Sequence, residues 1–125
     1  MSLCKWCSVL SLALVIVSCG KSLPVLDGIN LTDWKNDKNA CTGKRTAMAG
    51  EIEAQKGKLL SLSETQIIAL LGKPDQNELL KRNQKFYYYF VESSTACDSS
   101  YAEHQMKLAI RFNAMGLARE ISLEK

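Results

Sequence analysis

The chain is short of the residues that most catalytic and metal sites need. Its single histidine, His104, stands beside Glu103, so a zinc site with two histidines has no supply of ligands. No serine lies in a Gly-x-Ser-x-Gly elbow, a hydrolytic triad would have to use the same histidine, and no glycine-rich phosphate loop occurs. We therefore interpret His104 as a surface residue and predict a protein that is not an enzyme and needs no cofactor or metal.

An excess of charge of one sign is also missing. The chain contains 16 lysine and arginine residues against 13 aspartate and glutamate residues. Nucleic-acid-binding domains usually carry a clear basic patch or stripe, and a balanced composition does not supply one. We expect no nucleic-acid partner.

No hydrophobic run is long enough for a transmembrane helix, but a shorter one lies near the N-terminus. Residues 9–17 are mostly apolar, and Lys5 is the only charge before them. A spanning helix needs about 20 residues, so this segment is typical of the core of a signal peptide. The alternative is a buried hydrophobic helix followed by an incidental cysteine.

The end of this run has a recognisable pattern. Residues 16–19, Ile-Val-Ser-Cys, resemble the lipobox of bacterial lipoproteins. The resemblance implies cleavage after residues 1–18, the signal peptide, and a diacylglycerol on the thiol of Cys19, usually with an acylated amine. Several acyl chains at ~0.8 kcal/mol per buried methylene make a stable membrane anchor. Because Gly20 is not acidic, we expect the outer membrane, on its periplasmic side.

Cleavage leaves few cysteines. Cys4 and Cys7 have the spacing of a redox or metal pair, but they leave with the leader. Removing residues 1–18 from the 125 leaves 107, with only Cys41 and Cys97 besides the lipidated cysteine. In an oxidising envelope these two allow one intramolecular connectivity, and we predict a disulfide between them. Two free thiols or a metal pair are the alternatives.

The mature chain is long enough for one domain and one core. Residues 19–31 contain Pro24, Gly28 and Asn30 with little periodicity, so we predict a mobile tether. Residues 32–125 then form a single domain.

Two helical patterns open this domain. Apolar residues at spacings of seven and four predict one long first helix through Trp34, Cys41, Met48, Ile52 and Leu59. The alternative is a break or start near Gly43, since glycine inside a helix costs up to ~1 kcal/mol against alanine. In the second helix Ser63 and Gln66 form a capping box, and Gly72 and Pro74 end it.

After Pro74 the period changes from that of a helix to that of a strand. Strand-like residues occupy four segments, 79–80, 85–91, 106–112 and 117–123. Asn83-Gln84 is the predicted hairpin turn, and residues 92–105 form a polar loop held by Cys97. The order predicts an α+β fold with two N-terminal helices packed on one face of an antiparallel sheet of about four strands.

The aromatic strand, residues 86–90, supplies the candidate contact surface. Because alternate strand residues point to opposite faces, either Tyr87 and Tyr89 face outward and their aromatic neighbours enter the core, or the reverse holds. We take the outward tyrosines as protein-binding candidates because tyrosine and arginine are enriched at interface hot spots. A sheet face covered by its own loop is the alternative. The cations expected beside the tyrosines are Lys81, Arg82, Lys85 and Arg111.

One longer segment has a family resemblance. Residues 62–75, LSETQIIALLGKPD, the aromatic strand and the closing strand pair around residues 112–116 resemble the BamE (SmpA/OmlA) family of small outer-membrane lipoproteins. That family shares its helix-helix-sheet unit with β-lactamase inhibitor proteins, and the resemblance covers residues 59–123. It implies an accessory subunit in outer-membrane assembly that binds other envelope proteins.

Two functional hypotheses follow. The first is a lipid-anchored, non-enzymatic binding or scaffolding protein with another envelope protein as its partner. The second is an inhibitor or sensor domain that captures a periplasmic enzyme or a small ligand. A deep apolar cavity between helices and sheet would favour ligand capture, whereas a closed core with an exposed aromatic patch would favour a protein partner.

Overall fold

A computed structural model describes residues 22–98, 100 and 105–125. They form an α+β fold with three α-helices and a four-stranded antiparallel sheet, which confirms the predicted class but adds a helix. The helices are α1 Leu31–Asn36, α2 Lys44–Ala54 and α3 Glu64–Leu71. The strands are β1 Gln76–Leu79, β2 Lys85–Phe90, β3 Lys107–Phe112 and β4 Ala118–Glu124. Short 3-10 turns lie at Lys38–Ala40, Lys56–Lys58 and Lys81–Asn83.

The single long first helix is wrong, and the predicted alternative of a break near Gly43 is confirmed. α1 ends at Asn36, and α2 begins only at Lys44. Between them Asn39, Ala40 and Gly43 have φ values of 57°, 56° and 77°. Residues with positive φ cannot continue a right-handed helix, so the chain turns here and starts a new one.

α3 begins and ends where the sequence predicts. The Ser63 side chain accepts a hydrogen bond from the Gln66 amide, and the Gln66 side chain accepts one of 2.9 Å from the Ser63 amide. At the other end Gly72 has a φ of 84°, and its amide donates to the Ile68 carbonyl at 2.8 Å. A Cβ at Gly72 would lie 3.0 Å from Cγ of Lys35, so both conformation and packing favour glycine.

The sheet is a meander in the order β1-β2-β3-β4. Leu79 pairs with Lys85, Lys85 with Phe112, and Phe112 with Ala118, so these residues form one row across the sheet. Both tight hairpin turns lie beyond this row. We call residues 79–85 and 112–118 the hairpin end; the long β2–β3 connection lies at the opposite end of the sheet.

A register shift in β4 changes which of its residues enter the core. Arg119 is the extra residue opposite Arg111 and Phe112. Such a bulge interrupts the regular alternation, so that Ala118 and Ile121, three positions apart, lie on one face. Ala118 and Ile121 are consequently buried, whereas Arg119 is exposed. Regular alternation along the predicted strand would have placed Arg119 on the same face as Ile121.

One hydrophobic core joins the helices to the sheet. It also includes part of the predicted tether, since Leu26 is 5% exposed and Ile29 packs against the core. The Gln55 side chain fixes this segment by accepting from the Asp27 amide at 2.8 Å and donating to the Asp27 carbonyl at 2.7 Å. Residues 26–29 of the predicted tether are therefore part of the packed domain. Among the core residues are Trp34, Ile52, Ile67, Leu71, Tyr87, Tyr89, Leu108, Ile110 and Phe112.

Candidate functional site

The side chains of the aromatic strand β2 point the opposite way from the prediction that Tyr87 and Tyr89 face outward. Tyr87 and Tyr89 are buried core residues, so the prediction that they face outward is wrong. The Tyr87 ring meets Phe112 edge-on with 4.8 Å between centroids, and the Tyr89 hydroxyl donates to the Gly72 carbonyl at 2.7 Å. β2 is an inner strand, and this side of it meets the apolar side chains of the helices. These two tyrosines hold the core and offer no contact surface.

Lys85 lies at the edge of the same inner face and is engaged within the domain. Its Nζ is 2.8 Å from Oε1 of Glu64, which also accepts a hydrogen bond of 3.0 Å from the Tyr87 hydroxyl. The hydrogen bond from Lys85 lowers the pKa of Glu64; burial opposes this, but the Tyr87 hydroxyl and the lysine charge add to the lowering. Burial and the nearby Glu64 raise the pKa of Tyr87 to about 12.

The opposite face of the sheet carries its own aromatic row, outside the main core cluster, in which Phe86 is half-buried and Tyr88 and Phe90 are each only 8% exposed. Phe86 and Tyr88 stack with 5.8 Å between ring centroids and 13° between planes. Nζ of Lys107 lies 4.2 Å from the centroid of Tyr88, within the distance of a cation–π interaction. The Tyr88 hydroxyl donates to Glu78 at 3.0 Å. We call Phe86, Tyr88, Phe90, Lys107 and Arg111 the aromatic face.

The four predicted cations do not come together. Arg111 belongs to the aromatic face, where its Nε lies 3.2 Å from a carboxylate oxygen of Glu120. Lys81 and Arg82 are exposed in the turn between β1 and β2, at the hairpin end. Lys85 is bound to Glu64 on the inner face. Only Arg111 therefore accompanies an outward aromatic row, and that row is centred on Tyr88.

Cys41 and Cys97 lie at disulfide distance, as the sequence predicts, with 5.5 Å between their Cα atoms. They connect the segment between α1 and α2 to the connection between β2 and β3. A hydrogen bond of 2.9 Å from the Ser93 hydroxyl to the Ala40 carbonyl joins the same two segments. The pair thus closes the end of the domain opposite the hairpin end.

A buried ion pair, which we did not predict from the sequence, connects α2 to the sheet. NH1 of Arg45 lies 2.6 Å from Oδ2 of Asp75, and their side chains are 1% and 3% exposed. Nε of Arg45 also donates to the Trp34 carbonyl at 2.8 Å. Asp75 accepts from the Phe90 amide at 2.8 Å and from the Asn39 amide at 3.0 Å. These additional hydrogen bonds offset the desolvation that makes an isolated buried pair unfavourable.

Asp37 completes this polar cluster beside the start of α2. Its carboxylate accepts from the Thr42 amide at 2.7 Å, the Thr42 hydroxyl at 2.6 Å and the Arg45 amide at 3.0 Å. Burial alone would raise the pKa of Asp37, but the hydrogen bonds from Thr42 and Arg45, with the arginine charge, outweigh burial and lower it. Asp37 therefore stays ionised and folds the segment between α1 and α2.

The cluster serves the fold rather than a ligand. The Arg45 guanidinium carbon lies 5.0 Å from the ring centroid of Trp34 and 5.9 Å from that of Tyr89. Arg45 and Trp34 are both enclosed, so no surface leads to the charge. The available sequence signals were Asp75, directly after Pro74, and the long cation Arg45 within a run of small residues.

The larger of two surface depressions does not lie between the helices and the sheet, the position expected for a ligand cavity. One of about 890 Å³ lies between residues 23–32 and the α3 residues Ala69 and Leu70, with Lys35 at its side and no strand residue in its lining. A smaller one lies between residues 54–60 and 119–121. Within the described ranges, no group of three or more His, Cys, Asp or Glu side chains could hold a metal ion. None of the helices described is long and apolar enough to span a bilayer.

No protein-family model, curated protein or solved structure matches this chain. The resemblance to the BamE family therefore stays a prediction. Cys19 with its leader and His104 lie outside the described residues.

Proposed function

We propose that this chain is a lipid-anchored, non-enzymatic binding module of the bacterial envelope that docks another envelope protein on its aromatic face. The anchor is the lipid on Cys19, supported by the lipobox pattern at residues 16–19 and the short apolar run before it. Cys41 and Cys97 at disulfide distance support an oxidising compartment. The periplasmic side of the outer membrane is the proposed location.

The aromatic face carries the proposal for a protein partner. In the proposed arrangement the helical layer covers one face of the sheet and leaves the other for the partner. The half-buried ring of Phe86, stacked on the buried Tyr88, provides the apolar area, and Lys107 and Arg111 border it. Aromatic side chains with arginine at their edge are typical of interface hot spots, and charged residues such as Glu120 form the polar rim of such a surface.

Site-specific photocrosslinking in intact cells tests this surface. A benzophenone amino acid replaces Phe86, and in a second strain it replaces Lys73, an exposed residue in the α3–β1 connection. We expect a discrete crosslinked species from position 86 that position 73 does not form. The same crosslinking pattern from both positions, or none from position 86, would contradict the proposed surface.

Matched charge variants provide a second measurement. Lys107→Gln with Arg111→Gln removes two cations from the aromatic face, and Lys38→Gln with Lys73→Gln removes two exposed cations elsewhere. We expect the first pair to weaken co-purification of the crosslinked partner and the second pair to leave it unchanged. Circular dichroism on both variants checks that the domain is folded. Equal recovery of the partner with both variants would exclude a contribution from these cations.

A further inference from the structure

The most exposed apolar side chains of the described residues gather at one end of the domain. Met115 is 80%, Val25 76% and Leu79 68% exposed, and Leu80 and Leu60 are also exposed. Single apolar residues scattered over a surface are ordinary, but a group of them marks an interaction site. Strand pairing and hydrogen bonds show which of these residues lie near one another.

Strand pairing places the first group at the hairpin end. Leu79 stands in the row that continues through Lys85 and Phe112 to Ala118. Neighbouring strands are about 4.8 Å apart, so this row is only roughly 15 Å wide. Met115 lies in the turn directly beyond Phe112, which closes with a hydrogen bond of 2.9 Å from the Gly116 amide to the Asn113 carbonyl.

Hydrogen bonds bring the other apolar residues to the same end. The Ser61 amide donates to the Ala118 carbonyl at 2.8 Å, which places Leu60 beside the start of β4. Nζ of Lys58, three residues before Ser61, donates to the Val25 carbonyl at 2.8 Å. The N-terminal segment is therefore held beside the turn that leads into the hairpin end.

The charges at this end are mostly positive. Lys81 and Arg82 are exposed at the tip of the β1–β2 turn, and neither takes part in the ion pairs formed among the described residues. Two acidic residues nearby are neutralised, because Asp27 pairs with Lys58 and Glu64 pairs with Lys85. Cations next to apolar side chains suit an anionic lipid surface, where each lysine or arginine strengthens binding several-fold.

The short segment between Cys19 and the core favours the hairpin end as the part of the domain that faces the membrane. Leu26 is fixed in the core, and the seven residues from Cys19 to Val25 span at most roughly 25 Å. A domain of about 100 residues has a radius of gyration of about 13 Å and is therefore roughly 30 Å across. The hairpin end, next to which the N-terminal segment is held, lies within the reach of this tether, whereas the end that carries Cys97 lies on the far side of the domain.

We propose that the hairpin end rests on the anionic phospholipid surface in which Cys19 is anchored. Leu79, Leu80 and Met115 enter the interfacial region, and Lys81 and Arg82 contact the lipid phosphates. This inference rests on the proposed lipid anchor. The strands then run along the membrane normal, and the aromatic face points sideways toward a partner held at the same membrane.

Hydrogen exchange of the lipidated mature protein tests the contact. The protein is reconstituted into phosphatidylcholine vesicles with and without phosphatidylglycerol, and exchange is compared with that in neutral detergent. We expect amides of residues 80–84 and 113–117 to exchange about tenfold more slowly on the anionic vesicles, because both turns are then covered. Equal exchange in detergent and on anionic vesicles would overturn the proposal, as would equal protection on neutral vesicles.

Two variants, each replacing one apolar residue and two cations by uncharged polar residues, separate the hairpin end from the rest of the surface. Leu80→Ser, Lys81→Gln and Arg82→Asn alter the tip, and asparagine is chosen because position 82 has a φ of 63°. The control combines Ile68→Ser, Lys38→Gln and Lys73→Gln; Leu80 and Ile68 are 41% and 39% exposed. We expect the tip variant to lose protection at residues 113–117 on anionic vesicles and the control to keep it. Retained protection in the tip variant would contradict the contact.

Intact mass of the same sample distinguishes the two proposals. Absence of lipid on Cys19 would refute the anchor, and with it the tether argument. If lipid is present but the turns exchange equally in detergent and on vesicles, the anchor stands and the hairpin-end contact is wrong.

Discussion

Arg45 and Asp75, 30 positions apart in the chain, form an ion pair of 2.6 Å where α2 meets the start of β1 and the end of β2. Asp75 also accepts the amide of Phe90, and Arg45 also donates to the carbonyl of Trp34. One pair therefore ties the first two helices to two strands. Its burial makes the loss of either partner more costly than the loss of a surface pair.

The first prediction concerns this pair. Asp75→Ala leaves a buried guanidinium without its counter-charge, and we expect it to lower the free energy of unfolding by about 3–5 kcal/mol. Glu120→Ala removes the exposed partner of Arg111 and should cost at most about 1 kcal/mol. Denaturant unfolding of both variants gives the comparison. Similar small losses in the two would show that the buried pair does not stabilise the domain.

The second prediction concerns acid stability and Asp37. Because hydrogen bonds from Thr42 and Arg45 outweigh burial and lower the pKa of Asp37, the folded state binds its proton less readily than the unfolded state. This contribution is fully present above the unfolded pKa, about 4. It is lost as the pH falls through the folded value. Asp37→Asn should cost about 1–3 kcal/mol at neutral pH and make stability less dependent on pH below 4.

Urea unfolding between neutral pH and strong acid measures this effect. Asp33→Asn changes an aspartate in the neighbouring helix whose side chain is 42% exposed, and it is the control. The role given to Asp37 would be contradicted if Asp37→Asn had the same free energy of unfolding as the parent at neutral pH and lost it equally as the pH falls below about 4.

The third prediction concerns Cys41 and Cys97. A disulfide between residues 56 positions apart should contribute about 4 kcal/mol by restricting the unfolded chain. Cys41→Ser with Cys97→Ser should lose that amount in denaturant unfolding, and a reducing agent should destabilise the parent to the same level. Reducing agent should have no effect on the double variant. A parent that is equally stable with and without reductant would argue against the bond.

The fourth prediction concerns the anchor. The membrane-extracted protein should begin at Cys19 and carry the added mass of a diacylglycerol and an amide-linked acyl chain. Cys19→Ala should move the protein out of the membrane fraction and leave the domain folded, because Leu26 begins the packed region seven residues later. A mature chain that starts at Cys19 without lipid, or a Cys19→Ala variant that stays membrane-bound with the leader removed, would refute lipid anchoring.

Local features of the fold were predictable from the sequence. Ser63, Gln66 and Gly72 delimit α3 through hydrogen bonds to residues no more than four positions away, so the sequence pattern contains every partner. The pairing of Cys41 with Cys97 followed from the count of cysteines once Cys4 and Cys7 were assigned to the leader and Cys19 to the lipid anchor. The α+β class followed from the change of period after Pro74. The break around Gly43 entered only as the alternative, because the apolar spacing on its two sides fits one helix.

Tertiary packing decided the orientation of β2. A strand with aromatic residues at every position from 86 to 90 has the same pattern in both phases, so Tyr87 and Tyr89 could be assigned to either face. Contacts with Phe112 and Gly72 select the core for them and leave Tyr88 to the aromatic face. The predicted contact surface is therefore wrong at Tyr87 and Tyr89. Of its predicted residues, only Arg111 lies on the aromatic face.

The sequence by itself determined the helix caps, the class of fold, the cysteine pairing and the prediction of a lipid anchor, because each depends on neighbouring residues, on periodicity or on composition. Tertiary structure alone decided the Arg45–Asp75 pair, the bulge at Arg119 and the gathering of Val25, Leu79 and Met115 at the hairpin end. These depend on contacts between segments far apart in the chain, where hydrogen bonding and burial are settled only when helices and strands pack together.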